Sequence, residues 1–154
     1  TSVITAQENG CPGKNGMTEA EITEILKAHN TVRSDLKLPM LTWDCKLADV
    51  AQEWAARGAF EHRTGIAYGE SLFVSAKANT KIKAAVQQWM LEKASWDSDT
   101  ASCKAGKICS HYTQIVWKET AAIGCGINRD VRGRWKVMIV CNYEPAGNSG
   151  GPPF

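Results

Sequence analysis

The chain has 154 residues, 44% hydrophobic and 22% charged, and its 18 basic and 16 acidic side chains leave a formal net charge of +2. These are ordinary globular values that fit a single core and imply no strongly charged partner. A nucleic-acid binder carries a basic stripe, whereas here the one close group is Arg129, Arg132 and Arg134, which reads as a polar hairpin tip.

Residues 1–17 are polar and contain Gly10, Pro12, Gly13 and Gly16, so they read as an irregular arm that Cys11 could pin down. Thr18 and Glu21 form a capping box, and Ile22, Ile25, Leu26, His29 and Val32 recur at helical spacing, predicting a helix that ends before Pro39. Leu47, Val50, Ala51, Trp54 and Ala55 repeat the pattern after Trp43 and Asp44, with Gly58 as the stop. Tyr68 to Val74 suits a short buried strand, and Ile82, Ala85, Val86, Trp89 and Lys93 predict a third helix. Residues 97–110, rich in Asp, Ser, Gly and Lys, read as a surface loop stapled by cysteines.

The last third alternates. Ile123, Cys125 and Ile127 share one strand face; Trp135, Val137, Ile139, Cys141 and Tyr143 share the next, across a polar turn at Arg132 and Gly133. A hairpin folded at residue 133 sets Cys125 opposite Cys141, a geometry that permits a bridge. Gly147 to Phe154 reads as coil. The boundaries that result are an arm at 1–17, one domain at 18–150 and a tail at 151–154, in an α+β layered class.

Nothing approaches the roughly 18 uninterrupted apolar residues of a membrane span. The chain starts at Thr1 without an apolar signal core and is expected to be a mature, processed, soluble form. Six dispersed cysteines with no C-x-x-C pair favour three disulfides in an oxidising compartment over a thiolate zinc cage, and so predict secretion. Six cysteines leave about fifteen pairings open.

Of the three histidines, His29 lies on the apolar face of the first helix and is expected to be a hydrogen-bonded core residue. His62 leaves the second helix in Phe60-Glu61-His62-Arg63 and, taken alone, is a surface histidine. His111 follows the stapled loop. No H-E-x-x-H, G-x-S-x-G, P-loop or G-x-G-x-x-G pattern is present, and spacing alone does not bring His62 and His111 together.

Several separate segments do resemble a known family. Ser110-His111-Tyr112-Thr113-Gln114-Ile115-Val116-Trp117 and Ile139-Val140-Cys141-Asn142-Tyr143-Glu144-Pro145-Ala146-Gly147-Asn148 resemble the two signatures of the CAP superfamily, the cysteine-rich secretory, antigen 5 and pathogenesis-related proteins. His29-Asn30-Thr31-Val32-Arg33 and Tyr68-Gly69-Glu70-Ser71-Leu72 match in the same order. The resemblance implies a three-layer α-β-α sandwich with a small antiparallel sheet between helices. It also implies a cleft where two histidines and two glutamates converge, here His62, Glu70, Glu92 and His111.

Such a set suits zinc or another weakly bound divalent cation, with the carboxylates as ligands or as supports for the imidazoles. Ser71 stands where the family usually has Asn, which is expected to alter hydrogen bonding at the cleft edge. Resemblance to plant pathogenesis-related members implies Cys103–Cys109 and Cys125–Cys141. A third plant bridge has no counterpart, Ala59 and Asn128 standing near its positions, and Cys11–Cys45 is then the remaining pair.

The resemblance implies a secreted module that binds a sterol or fatty acid, or acts in defence or host interaction, as a monomer or weak dimer with a possible protein receptor. Trp89 and Trp96 could line a flat apolar site beside Glu92, although Trp89 reads better as core. The alternative is a zinc-dependent, protease-like hydrolase in which Glu70 or Glu92 serves as general base.

Overall fold

The computed structural model describes Cys11 and residues 15–154. The rest of the expected arm lies outside the described residues.

The first helix, α1 (Glu19–Asp35), starts at the capping box: Thr18 Oγ1 accepts from the Glu21 amide at 3.2 Å, and the Glu21 carboxylate accepts from the Thr18 amide at 3.1 Å. Its buried face holds Ile22, Ile25 and His29, and also the polar Asn30 and Arg33 that apolar spacing did not mark. Asn30 pairs through its amide with both backbone groups of Leu41, at 3.0 and 2.7 Å. Arg33, fully buried, donates to the carbonyls of Pro39, Ile115, Trp117, Lys118 and Thr120. Its charge is spread over carbonyl dipoles, which a guanidinium can do because its donors form a rigid fork.

A two-residue strand, β1 (Thr42–Trp43), precedes α2 (Cys45–Arg57). Asp44 caps α2 by accepting from the Leu47 amide at 3.0 Å, and Gly58 ends it in the left-handed region at φ 68°. After β2 (Gly69–Ser75) comes α3 (Lys83–Met90), which tightens into a 3₁₀ turn at Leu91–Ser95 where one continuous helix was expected. The expected loop at 97–110 contains part of a small hairpin, β3 (Trp96–Asp97) and β4 (Ser102–Cys103). A short helix, α4 (Ser110–Ile115), leads to β5 (Ala122–Asn128) and β6 (Val137–Glu144).

The four-stranded sheet runs β1-β5-β6-β2, with β1 parallel to β5 and the other pairs antiparallel. Helices cover both faces. Odd-numbered positions of β5 and β6, including Ile123, Ile139 and Tyr143, pack with Ile25, Val86, Trp89 and Ile115 from α1, α3 and α4; Met138 and Val140 pack with Ala51, Trp54 and Ala55 of α2. This two-sided cover buries β6 from Val137 to Tyr143, where the alternating pattern had suggested one buried face.

The two central positions of β5 on the α2 side are Gly124 and Gly126. A Cβ at Gly124 would strike the Ala48 amide, and one at Gly126 would strike the Gln52 backbone, so α2 rests directly on the strand. Gln52 then pairs its side-chain amide with both backbone groups of Ile127, each at 2.9 Å. Asn15 donates to the Cys125 carbonyl on the same edge at 2.8 Å.

Three disulfides join Cys11–Cys45, Cys103–Cys109 and Cys125–Cys141. Cys125 and Cys141 are register partners with Cα atoms 4.1 Å apart, as expected of a hairpin centred on residue 133. The tail is coil, yet Pro153 is buried and accepts from the Lys118 amide at 2.7 Å. Among the described residues no helix is long and apolar enough to cross a membrane.

Candidate functional site

The end of α2 and the start of β2 carry one histidine–carboxylate pair. Trp54 Nε1 donates to the Glu61 carbonyl at 2.9 Å, tying the loop after Gly58 back to α2 just before His62. His62 Nδ1 lies 3.0 Å from Glu70 Oε1, which also accepts from the Arg63 amide at 3.0 Å. The glutamate is sunk, with its side chain 5% exposed, whereas the imidazole is 62% exposed.

A second pair joins the 3₁₀ turn to α4. Glu92 Oε2 lies 2.6 Å from His111 Nδ1, and Glu92 Oε1 accepts from the amides of His111 and Tyr112 at 2.9 and 3.1 Å. A carboxylate from one segment thus caps the open first turn of another, where helix amides lack partners. Trp89 stacks against the His111 ring, the planes 3° apart and the centroids 5.9 Å apart.

Both carboxylates therefore grip Nδ1. In each ring this assigns the proton to Nδ1 and directs the Nε2 lone pair away from the glutamate, the arrangement that supporting carboxylates impose on metal-ligating histidines. The structure brings together His62 with Glu70 and Glu92 with His111. Among the described residues, no three His, Cys, Asp or Glu side chains lie grouped closely enough to hold a metal by themselves.

Gln114 links the two halves. It stands three residues after His111 on α4, accepts from the Gly147 amide at 3.0 Å and donates to Thr120 Oγ1 at 3.2 Å. Gly69, which precedes Glu70, is backed so closely against Gln114 that a Cβ there would collide with its amide. Asn142, the cross-strand partner of Glu70, donates to the Gly69 carbonyl at 3.1 Å. Asn142 Oδ1 and Glu70 Oε2 are both buried acceptors without a hydrogen-bond partner. Neither Gln114 nor Asn142 was singled out from sequence, because each acts through backbone groups far along the chain.

The tryptophans differ in accessibility. Trp89 is 2% exposed and donates through Nε1 to the Leu72 carbonyl, so it offers no face to a ligand. Trp96 is partly buried and packs against Tyr112. Ser71 is not at the cleft edge: it is buried on the face opposite Glu70, beside Tyr143, and its hydroxyl makes no hydrogen bond of good geometry.

His29 is buried as expected, with Nδ1 on the Ile25 carbonyl and Nε2 on the Tyr143 hydroxyl, both at 2.8 Å. Burial pulls its pKa down to about 4 and pushes the Tyr143 phenol upward.

Residues 26–143 match the model of the cysteine-rich secretory protein family, CAP. The chain is 42% identical over 134 residues to the pathogenesis-related protein PRMS of Zea mays, covering 83% of this chain and 78% of that protein. It is 36% identical over 129 residues to pathogenesis-related protein 1A of Nicotiana tabacum, covering 81% and 75%. Among solved structures, NaASP2 with Zn2+ superposes with a TM-score of 0.77 at 28% identity, covering 93% of this chain and 88% of that one. The venom allergen-like protein 4 of Schistosoma mansoni gives 0.72 at 26%, covering 86% and 92%. Helices on both faces of a mixed sheet, the paired cysteines and these matches agree: the chain belongs to the cysteine-rich secretory protein (CAP) family, with close likeness to its plant pathogenesis-related branch.

Proposed function

We propose that this is a secreted defence-type module that works by binding, and that its cleft takes a divalent cation through Nε2 of His62 and His111, with Glu70 and Glu92 as supporting carboxylates. The observation that carries this reading is the repeated Nδ1–carboxylate contact, at 3.0 and 2.6 Å, which leaves Nε2 of each imidazole turned outward as the ligand atom. The unpartnered Glu70 Oε2 fits the same donor set. Zinc at such a site would add a Lewis acid with open positions for water or a ligand atom. One of the solved relatives, NaASP2, is described with Zn2+, which supports the choice of metal.

A sterol or fatty acid is a second reading, favoured by three exposed apolar side chains that precede site residues by one to three positions in sequence: Phe60, Leu91 and Ile108. Trp96 would contribute an edge and Trp89 none. Hydrolysis finds less support, because both oxygens of Glu92 and one of Glu70 are already engaged, leaving no carboxylate fully free as a general base.

Zinc titration followed by thermal unfolding tests the first reading. At a hundredfold excess over Kd the gain is about 2.7 kcal/mol, or roughly 5–10 °C for a domain of this size. The shift should vanish in the His62→Ala, His111→Ala double variant; a shift that persists there removes the site. For the second reading, a labelled sterol and a labelled fatty acid are titrated against wild type and Leu91→Ser, and saturation by neither removes it.

A further inference from the structure

One edge of the four-stranded sheet keeps unpaired backbone groups away from the two histidine–carboxylate contacts. β2 is the edge strand, and the short Cα–Cα separation of Cys125 and Cys141 marks them as a non-hydrogen-bonded pair. Alternation from that pair turns the odd-numbered backbone groups of β6 toward β2. The odd-numbered groups of β2 receive them, and the amide and carbonyl of Glu70, Leu72 and Val74 therefore face outward. The Leu72 carbonyl is closed off by the Trp89 indole, which agrees with this alternation. Among the described residues, nothing bonds the outward groups of Val74.

Beside Val74, between β2 and α3, lies a groove of about 630 Å³. Phe73 and Leu91, the latter 68% exposed, supply its apolar surface. Lys77, Lys81 and Lys83 line its polar side and all three are exposed; among the described residues none of them makes an ion pair and no carboxylate lines the groove. An adjoining hollow, which shares Lys81, holds Glu21, committed to Arg129, and Glu24, which makes no ion pair among the described residues.

We propose that this groove binds an extended acidic peptide segment of a partner protein, which adds to the edge of β2. Main-chain hydrogen bonds form at Val74, an apolar side chain rests between Phe73 and Leu91, and carboxylates meet the three lysines. An open strand edge calls for a partner with its own backbone donors and acceptors, and the uncompensated lysines call for negative charge. A lipid headgroup would satisfy the lysines but not the edge.

The test uses the whole protein and an acetylated, fluorescein-labelled peptide of alternating glutamate and valine, followed by anisotropy and by amide NMR shifts. Saturable binding with shifts at Val74, Phe73 and Leu91 is expected. Replacing Lys77, Lys81 and Lys83 by Gln, or N-methylating the peptide on its pairing edge, should each weaken binding by about tenfold or more. Val74→Pro removes an outward amide without touching the ladder, which edge strands tolerate, and should weaken binding similarly. Equal binding of the N-methylated peptide, shifts confined to the His62 and His111 region, or binding of phosphatidylserine vesicles without binding of the peptide would each overturn the proposal. So would self-association through β2 that the peptide fails to displace.

Discussion

His29 makes the stability of this fold depend on pH in a direction that can be worked out. Nδ1 donates to the Ile25 carbonyl, so Nε2 is the acceptor for the Tyr143 hydroxyl and carries no proton. Protonation would place a charge in a fully buried position, with Arg33 as a neighbouring cation, and would oblige the Tyr143 hydroxyl to reverse from donor to acceptor. The folded pKa is about 4 against an ordinary 6.5. Because the folded value is the lower one, the stabilisation is complete above pH 6.5, falls as the pH drops because the unfolded chain gains a proton first, and changes no further below about 4. The fall from 6.5 to about 4, at about 1.4 kcal/mol per pH unit, gives an upper bound of about 3–4 kcal/mol.

Urea unfolding between about pH 7.5 and 4.5, for wild type and His29→Gln, isolates this contribution, since the carboxylates are common to both. The variant is expected to be less stable at neutral pH but to lose less on acidification, so the two curves converge by about 3 kcal/mol toward low pH. Parallel curves, or a His29 ring that titrates near pH 6 by NMR in the folded protein, would refute the reasoning.

Arg33→Met should cost about 3–5 kcal/mol in chemical denaturation, since five carbonyls lose their shared donor. Gly126→Ala forces a Cβ into the backbone of Gln52 and should abolish folding as read by circular dichroism, whereas Gly133→Ala, at an open turn with φ 89°, should cost only about 1 kcal/mol. Glu92→Gln should lower zinc affinity by about 10–100-fold in calorimetry while leaving the His62–Glu70 contact unchanged. Ser71→Ala should be neutral or stabilising within about 0.5 kcal/mol, because it deletes a hydroxyl that is buried without a good partner.

Much of the scaffold could be read from short-range rules. The capping box at Thr18, the Gly58 stop and the hairpin centre at residue 133 each depend on residues a few positions apart or on symmetric spacing about a turn. β1 and α4 escaped because two and six residues are too short to display a period. Arg33 escaped because charge predicts exposure, and only the assembled loops from Pro39 and from Ile115 to Thr120 supply enough carbonyls to keep it inside. The four cleft residues were identified by resemblance to family motifs, with no spacing rule behind them. Their division into two Nδ1-anchored pairs depends on contacts between segments, as do the roles of Gln114 and Asn142.

The two edges of the sheet are treated unequally, and this limits how copies of the chain could associate through their strands. Along β5 the Ile123 carbonyl is taken by the chain after β1, the Cys125 carbonyl by Asn15 and both backbone groups of Ile127 by Gln52, so side-chain amides stand in for a missing neighbour strand. Along β2 the Val74 position stays open. A fibril grown by sheet extension needs two available edges on every copy, one to dock and one to offer. With the β5 side largely occupied among the described residues, strand pairing between copies through β2 would close as a two-fold dimer rather than propagate into an open filament.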